Sequence, residues 1–389
     1  MKTSLHSGFQ SLLRSMTLLL GLAMPLAAQT LTWTNATSMN TARSYAAAVV
    51  LNDGKVLVTG GRDASNNVLS TAERYDPVAG TWTTISMVAA RWLHRAEKLA
   101  DGRVLVIAGA GAPRTALNTA EIYDPATGAF SAVENLAESR ETFASTVLSN
   151  GKVLVHGGWV GSSVRSSGEV YDPATNTWTA TGASVPRNSH ELVTLPNGKV
   201  LMISGHTGAV HGPPECYLYD PAANTWAATG SMGTGRAGPK SVILANGKVL
   251  TTGESATCEL YDPAAGTWSN TGSMSTGRSR GHAILLSDGQ VLAFGGVGSF
   301  PDMPVSSEIY NPATGTWSAT GPAASGRTDG VAVRLQNGVV LAAGGSVGTS
   351  AFSAPASANV AIFDAPPPHP RPPSPAFPQA SAAPLVAPA

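Results

Sequence analysis

A pattern of Arg, nine residues, an Asn/Asp-Gly turn, an apolar run, a Gly-Gly slot, then Glu-x-Tyr-Asp-Pro-Ala-x-Gly-Thr-Trp recurs along almost the whole chain. The Gly-Gly slot begins at Gly60, Ala108, Gly157, Ser204, Gly253, Gly295 and Gly344, at spacings of 48, 49, 47, 49, 42 and 49 residues. A period near fifty with paired glycines and a late tryptophan predicts stacked four-stranded units closed into a β-propeller. Repeated residues in such a fold hold blades together, so function belongs to the residues that do not repeat.

One unit reads as one blade. Between Arg43 and Thr83, Ser44 to Leu51 is a β-prone run, and Asn52-Asp53-Gly54 makes a hairpin turn. Lys55 to Thr59 is apolar enough for burial on both faces, and Gly60-Gly61 ends it where a neighbouring backbone comes close. Ala72 to Tyr75 forms the third strand, Asp76-Pro77-Val78-Ala79-Gly80 the next turn, and Thr81 to Thr83 the outer strand. Tyr75, Tyr123, Tyr171, Tyr219, Tyr261 and Tyr310 fill one slot, and Trp82, Phe130, Trp178, Trp226, Trp268 and Trp317 another, as expected for packing between blade faces.

The seventh unit has Phe363 in the Tyr slot and no following Trp strand, whereas Thr32-Trp33-Thr34 near the start resembles Thr316-Trp317-Ser318. The N-terminal strand is therefore expected to complete the last blade, which removes the free edge. The arginines that open each first strand (Arg43, Arg91, Arg140, Arg187, Arg236, Arg278 and Arg327) are read as structural, each paired inside the fold with a carboxylate or with backbone carbonyls, because Arg is rarely buried unpaired. The glutamates Glu73, Glu121, Glu169, Glu259 and Glu308 sit at a fixed place in the third strands.

The paired glycines with the downstream Tyr and Trp resemble the kelch repeat over residues 31–364. The resemblance implies an all-β, seven-bladed kelch-type propeller of four-stranded antiparallel blades. It extends to the propeller of galactose oxidase, a family that uses copper with a Cys-crosslinked Tyr and a second Tyr. Here the repeat takes six of the eight tyrosines and leaves Tyr45 and Tyr217, and Cys216 and Cys258 lie on third strands. That radical site is not expected. A resemblance to kelch-type sugar mutarotases implies an alternative, an exported carbohydrate-active enzyme with His190-Glu191 or His94-Arg95 as its acid/base pair.

Residues 1–28 have the basic start, apolar run and small-residue end of a secretory signal, with cleavage expected near Ala28, so the protein is expected to be secreted or periplasmic. Residues 365–389 are nearly all Pro, Ala and Ser and are expected to be disordered. With 24 basic and 24 acidic residues and only 12% charged, nothing suits a nucleic-acid binder. Cys216 and Cys258 occupy equivalent positions in adjacent units, a geometry that does not favour a disulfide.

His94, His190 and His282 follow the arginines on the innermost strands, without HxH or HExxH spacing, and no metal is expected. There is no nucleotide loop, hydrolase elbow or zinc motif, and no cofactor or catalytic residue is assigned. The segments around each Arg and the loops after each Gly-Gly slot diverge among units, and rigid scaffolds carry their binding residues on such loops. The ligand-binding candidates are Arg62, Trp92, His94, Arg95, Trp159, His190, Glu191, His206, His211, Lys240, Arg280 and His282, with Tyr45 and Asp329 on the same segments. The expected function is that of a monomeric binding module for a protein or a glycan, without membrane insertion.

Overall fold

A computed structural model describes residues 31–208, 212–298, 302–323, 326–348 and 355–364. The expected signal and the Pro-rich tail lie outside the described residues, and so does His211. Seven four-stranded antiparallel sheets make up the fold. Blade 1 is Ala47–Val50, Val56–Thr59, Thr71–Asp76 and Thr81–Ser86. The first strands of successive blades adjoin one another in an unbroken circuit, from Ala47–Val50 around to Val331–Arg334 and back. Blade 7 closes as the sequence predicts. Its outer strand is Trp33–Ala36, paired to Val360–Phe363 with Trp33 opposite Phe363. Among the described residues, no helix is long and apolar enough to cross a membrane.

The core lies between blades rather than within them. Each second strand is wholly buried, and its two faces pack on different neighbours. One cluster joins Leu57 and Ala72 of blade 1 to Val104, Val106 and Tyr123 of blade 2, and another joins Val56, Val58 and Tyr75 to Val331, Leu341 and Val360 of blade 7. The ring is thus sealed by apolar contact as well as by strand pairing. Cys216 and Cys258 belong to two such clusters and are free, and burial pushes their thiols up to about 12 and about 11.

The repeated arginines are pins inside the blades. Glu73 accepts from Arg43 Nε and Nη2, both at 3.1 Å, and from the backbone N–H groups of Asn40 at 2.7 Å and Thr41 at 3.0 Å. The pair buries both side chains completely, and Arg43 Nη1 also donates to the Gly60 and Thr71 carbonyls. Blades 2, 3, 5 and 6 repeat the Arg–Glu pair at 2.9, 2.9, 3.1 and 2.9 Å. The Gly-Gly slot meets the next blade at the carbonyl of that blade's arginine: Gly61 N–H donates to Arg91 O, Gly158 to Arg187 O and Gly345 to Arg43 O.

Two expectations need correction. The arginines do not open the first strands. Blade 1 enters its sheet only at Ala47, four residues after Arg43, because Tyr45 has φ 55° and breaks the extended run. For the same reason His94 and His190 stand just ahead of the innermost strands Arg95–Lys98 and Glu191–Thr194, and only His282 lies within one.

Candidate functional site at the channel mouth

The turn that breaks each first strand builds the site. The second residue after every blade's arginine has positive φ: Tyr45 (55°), Leu93 (53°), Thr142 (52°), Ser189 (49°), Gly238 (60°), Arg280 (56°) and Asp329 (55°). Six of these seven are not glycine, and such strain persists only where surrounding contacts hold it. At four of the seven those contacts include a backbone hydrogen bond to the preceding blade around the channel. Tyr45 N–H donates to Asp329 O at 2.8 Å, Leu93 to Tyr45 O at 3.2 Å, Ser189 to Thr142 O at 2.8 Å and Gly238 to Ser189 O at 2.9 Å. The side chains at these positions and just after them surround a cavity of about 490 Å³.

Eight of the candidates named from sequence line this one cavity: Trp92, His94, Arg95, His190, Glu191, Lys240, Arg280 and His282. Tyr45 and Asp329 join them. Arg62 sits at the rim with its guanidinium 3.4 Å from the centre of the Trp92 ring. Trp159 and His206 do not reach the cavity. Trp159 pairs with Val164 in a two-residue ribbon, and His206 bridges to Asn188. Sequence reasoning missed Arg114, which lines the cavity and pairs with Glu141 at 2.8 Å. It also missed the hydroxyls of Thr142, Ser145 and Ser189. The shared offset from each arginine is the signal that finds the two ring members among them, Thr142 and Ser189.

The wall has two parts of different character. On one side Arg280 Nη1 lies 3.1 Å from Asp329 Oδ2 and 3.5 Å from the Tyr45 hydroxyl, and the Tyr45 ring meets Trp92 edge-on at 5.3 Å. Burial raises the Asp329 carboxyl and the Tyr45 phenol, with Asp329 adding to the latter. On the other side stand Glu191 and Lys240. Burial raises the Glu191 carboxyl against the pull of Lys240, and it lowers the Lys240 ammonium against the pull of Glu191. Glu191 Oε2 is buried without a hydrogen-bond partner.

The histidines have other commitments. His94 Nε2 lies 2.7 Å from Thr59 Oγ1, and His190 Nε2 lies 3.1 Å from His156 Nδ1. Burial holds His94 and His190 well below the usual imidazole range and His282 at about 3, so all three stay neutral at physiological pH. Among the described residues, no three His, Cys, Asp or Glu side chains gather where a metal ion could bind.

The kelch motif family model matches residues 42–86 and 142–181, which hold the four strands of blade 1 and the four of blade 3. Those two stretches match the kelch motif. The propeller is similar to a fungal alcohol oxidase of the AA5 family in complex with copper, with a TM-score of 0.71 and 21% identity over 86% of this chain and 76% of that one. It is also similar to YjhT, with a TM-score of 0.57 and 16% identity over 73% of this chain and 99% of that one. At these identities the likeness is one of fold. No curated protein matches the sequence. The donor set of this propeller does not fit a copper centre. Tyr217 sits against Arg187, 5.7 Å from its guanidinium, rather than beside Tyr45 at the mouth, and both thiols are buried between blades.

Proposed function

We propose that this kelch propeller is an exported binding module that takes a sugar-sized portion of a glycan into the mouth of its channel. The observation that carries this is the cavity of about 490 Å³, lined by side chains that differ from blade to blade on a backbone ring that does not. Its volume is in the range of small-molecule sites, roughly 300–1,000 Å³. Paired charges and the hydroxyls of Tyr45, Thr142, Ser145 and Ser189 offer donors and acceptors in close alternation, as a polyhydroxylated ligand requires. Export rests on the character of residues 1–28.

A glycan array probed with the purified protein tests the reading. Binding should weaken at least tenfold in Arg280→Ala and in Glu191→Gln, and binding untouched by both substitutions would remove the mouth as the site. A second reading, sugar interconversion, is favoured by one observation. Glu191 and Lys240 are an adjoining acid and base whose proton affinities burial moves toward each other. It replaces His190 with Glu191 as the acid/base group, because His190 is held by His156. Anomer exchange followed by NMR should be lost in Glu191→Gln if that reading is correct.

A further inference from the structure

The arginine pin is incomplete in two blades, and the two gaps differ. Five blades place a glutamate two residues before the aromatic of the third strand. Blade 4 has Tyr217 there, which fills the space beneath Arg187, and Glu215 adds a distant carboxylate at 4.0 Å. Blade 7 has Ala361. The register is the same, since Ala361 lies opposite Ala342 as Glu73 lies opposite Val58, so only the side chain is missing.

Arg327 is therefore a buried cation without a carboxylate. It is 6% exposed. Its Nη1 donates to the carbonyls of Gly344 and Asn359, and burial lowers its basicity with no carboxylate among the causes. Beside it, where the glutamate would stand, is a cavity of about 270 Å³ lined by Arg327, Ala361, Asn359, Asn35, Trp33 and Phe294. Asn35 is exposed and marks the side on which the cavity meets solvent. An unpaired buried charge is costly, and the planar guanidinium matches the fork of a carboxylate.

We propose that this cavity binds a short-chain aliphatic monocarboxylate, whose carboxylate pairs with Arg327 as Glu73 pairs with Arg43. The hydrocarbon end then lies against Trp33 and Phe294, whose rings are 4.6 Å apart. A second carboxylate finds no cation, because Arg327 is the only charged residue among the described residues of the lining. The site is separate from the channel mouth, and its occupancy is independent of the proposed glycan reading.

The test uses the full chain and butyrate. Saturating sodium butyrate should raise the melting temperature by about 2–4 °C, whereas sodium chloride or succinate at matched ionic strength should not. Ala361→Glu restores the missing carboxylate, so it should melt at or above the butyrate-saturated wild type and gain nothing from butyrate. Arg327→Met should show no butyrate binding by titration calorimetry, which keeps the test open if Ala361→Glu fails to fold. An equal shift from chloride, an equal butyrate effect in Ala361→Glu, or no heat of binding to the wild type would each overturn the assignment.

Discussion

Removing one carboxylate from a complete blade should show how much the arginine pin contributes. In Glu73→Ala, Arg43 loses the acceptor for its Nε and one of those for Nη2. It keeps only the Gly60 carbonyl and the two oxygens of Thr71. The Asn40 and Thr41 N–H groups lose their acceptor too, but water can reach them, since Asn40 is exposed and Thr41 half-buried. The main cost is the stranded guanidinium, and breaking a buried pair in this way costs about 3–5 kcal/mol. At about 2–4 °C per kcal/mol, the melting temperature should fall by roughly 10 °C. The double variant Arg43→Met/Glu73→Leu leaves no charge behind and should recover to within about 1–2 kcal/mol of wild type. Urea unfolding followed by circular dichroism measures all three proteins. If the double variant is no more stable than Glu73→Ala, charge pairing is not what the glutamate provides. Lys152→Ala, which removes an exposed pair to Asp172 at 2.9 Å, serves as control and should leave the midpoint unchanged.

Three other outcomes are expected. Gly157→Ala would put a Cβ 2.1 Å from Arg187 O at φ 67°, whereas at Gly128 (φ 71°) a Cβ meets nothing within 4 Å. The former should cost more than about 3 kcal/mol and the latter about 1 kcal/mol by thermal melting. Trp33→Ala removes the contacts to Phe294 at 4.6 Å and Phe363 at 5.3 Å, together with the hydrogen bond to Ser307 at 3.0 Å. It should destabilise by about 3 kcal/mol and admit protease cleavage at the N-terminal strand, and an unchanged melting curve would contradict closure by that strand. Burial lowers His156 to about 3, so its contribution is complete above the unfolded value of about 6.5 and is lost as pH falls below it. The stability advantage of wild type over His156→Gln should shrink by about 2 kcal/mol between roughly pH 6.5 and pH 5, and a constant difference would place the imidazole in a wetter setting.

The repeat made the blades, their number and the closing strand legible because each is dictated by residues that recur at one offset. Gly60 and Trp82 mean the same thing wherever their equivalents appear. The buried pairs were legible for the same reason. What the sequence concealed depends on closure of the ring. Nothing in Tyr45, Leu93 or Ser189 announces a left-handed backbone, since each is held by a neighbouring blade's carbonyl. The fate of His190 was hidden too. His156 comes from the second strand of the preceding blade, and only the assembled interface brings the two imidazoles together. Ala361 could be seen as a missing glutamate, but the space it leaves exists only between Trp33 and Phe294.

The ring of left-handed residues separates two tasks that most binding surfaces combine. Four of its seven blade-to-blade links are backbone hydrogen bonds that do not depend on side-chain identity, and its left-handed positions already accommodate an aromatic, an aliphatic, two hydroxylic residues, a glycine, a cation and an anion. Exchanges at these seven positions can therefore redraw the chemistry of the mouth one panel at a time while the frame stays in place. A lineage carrying this fold can change what it recognises without first finding a way to remain folded.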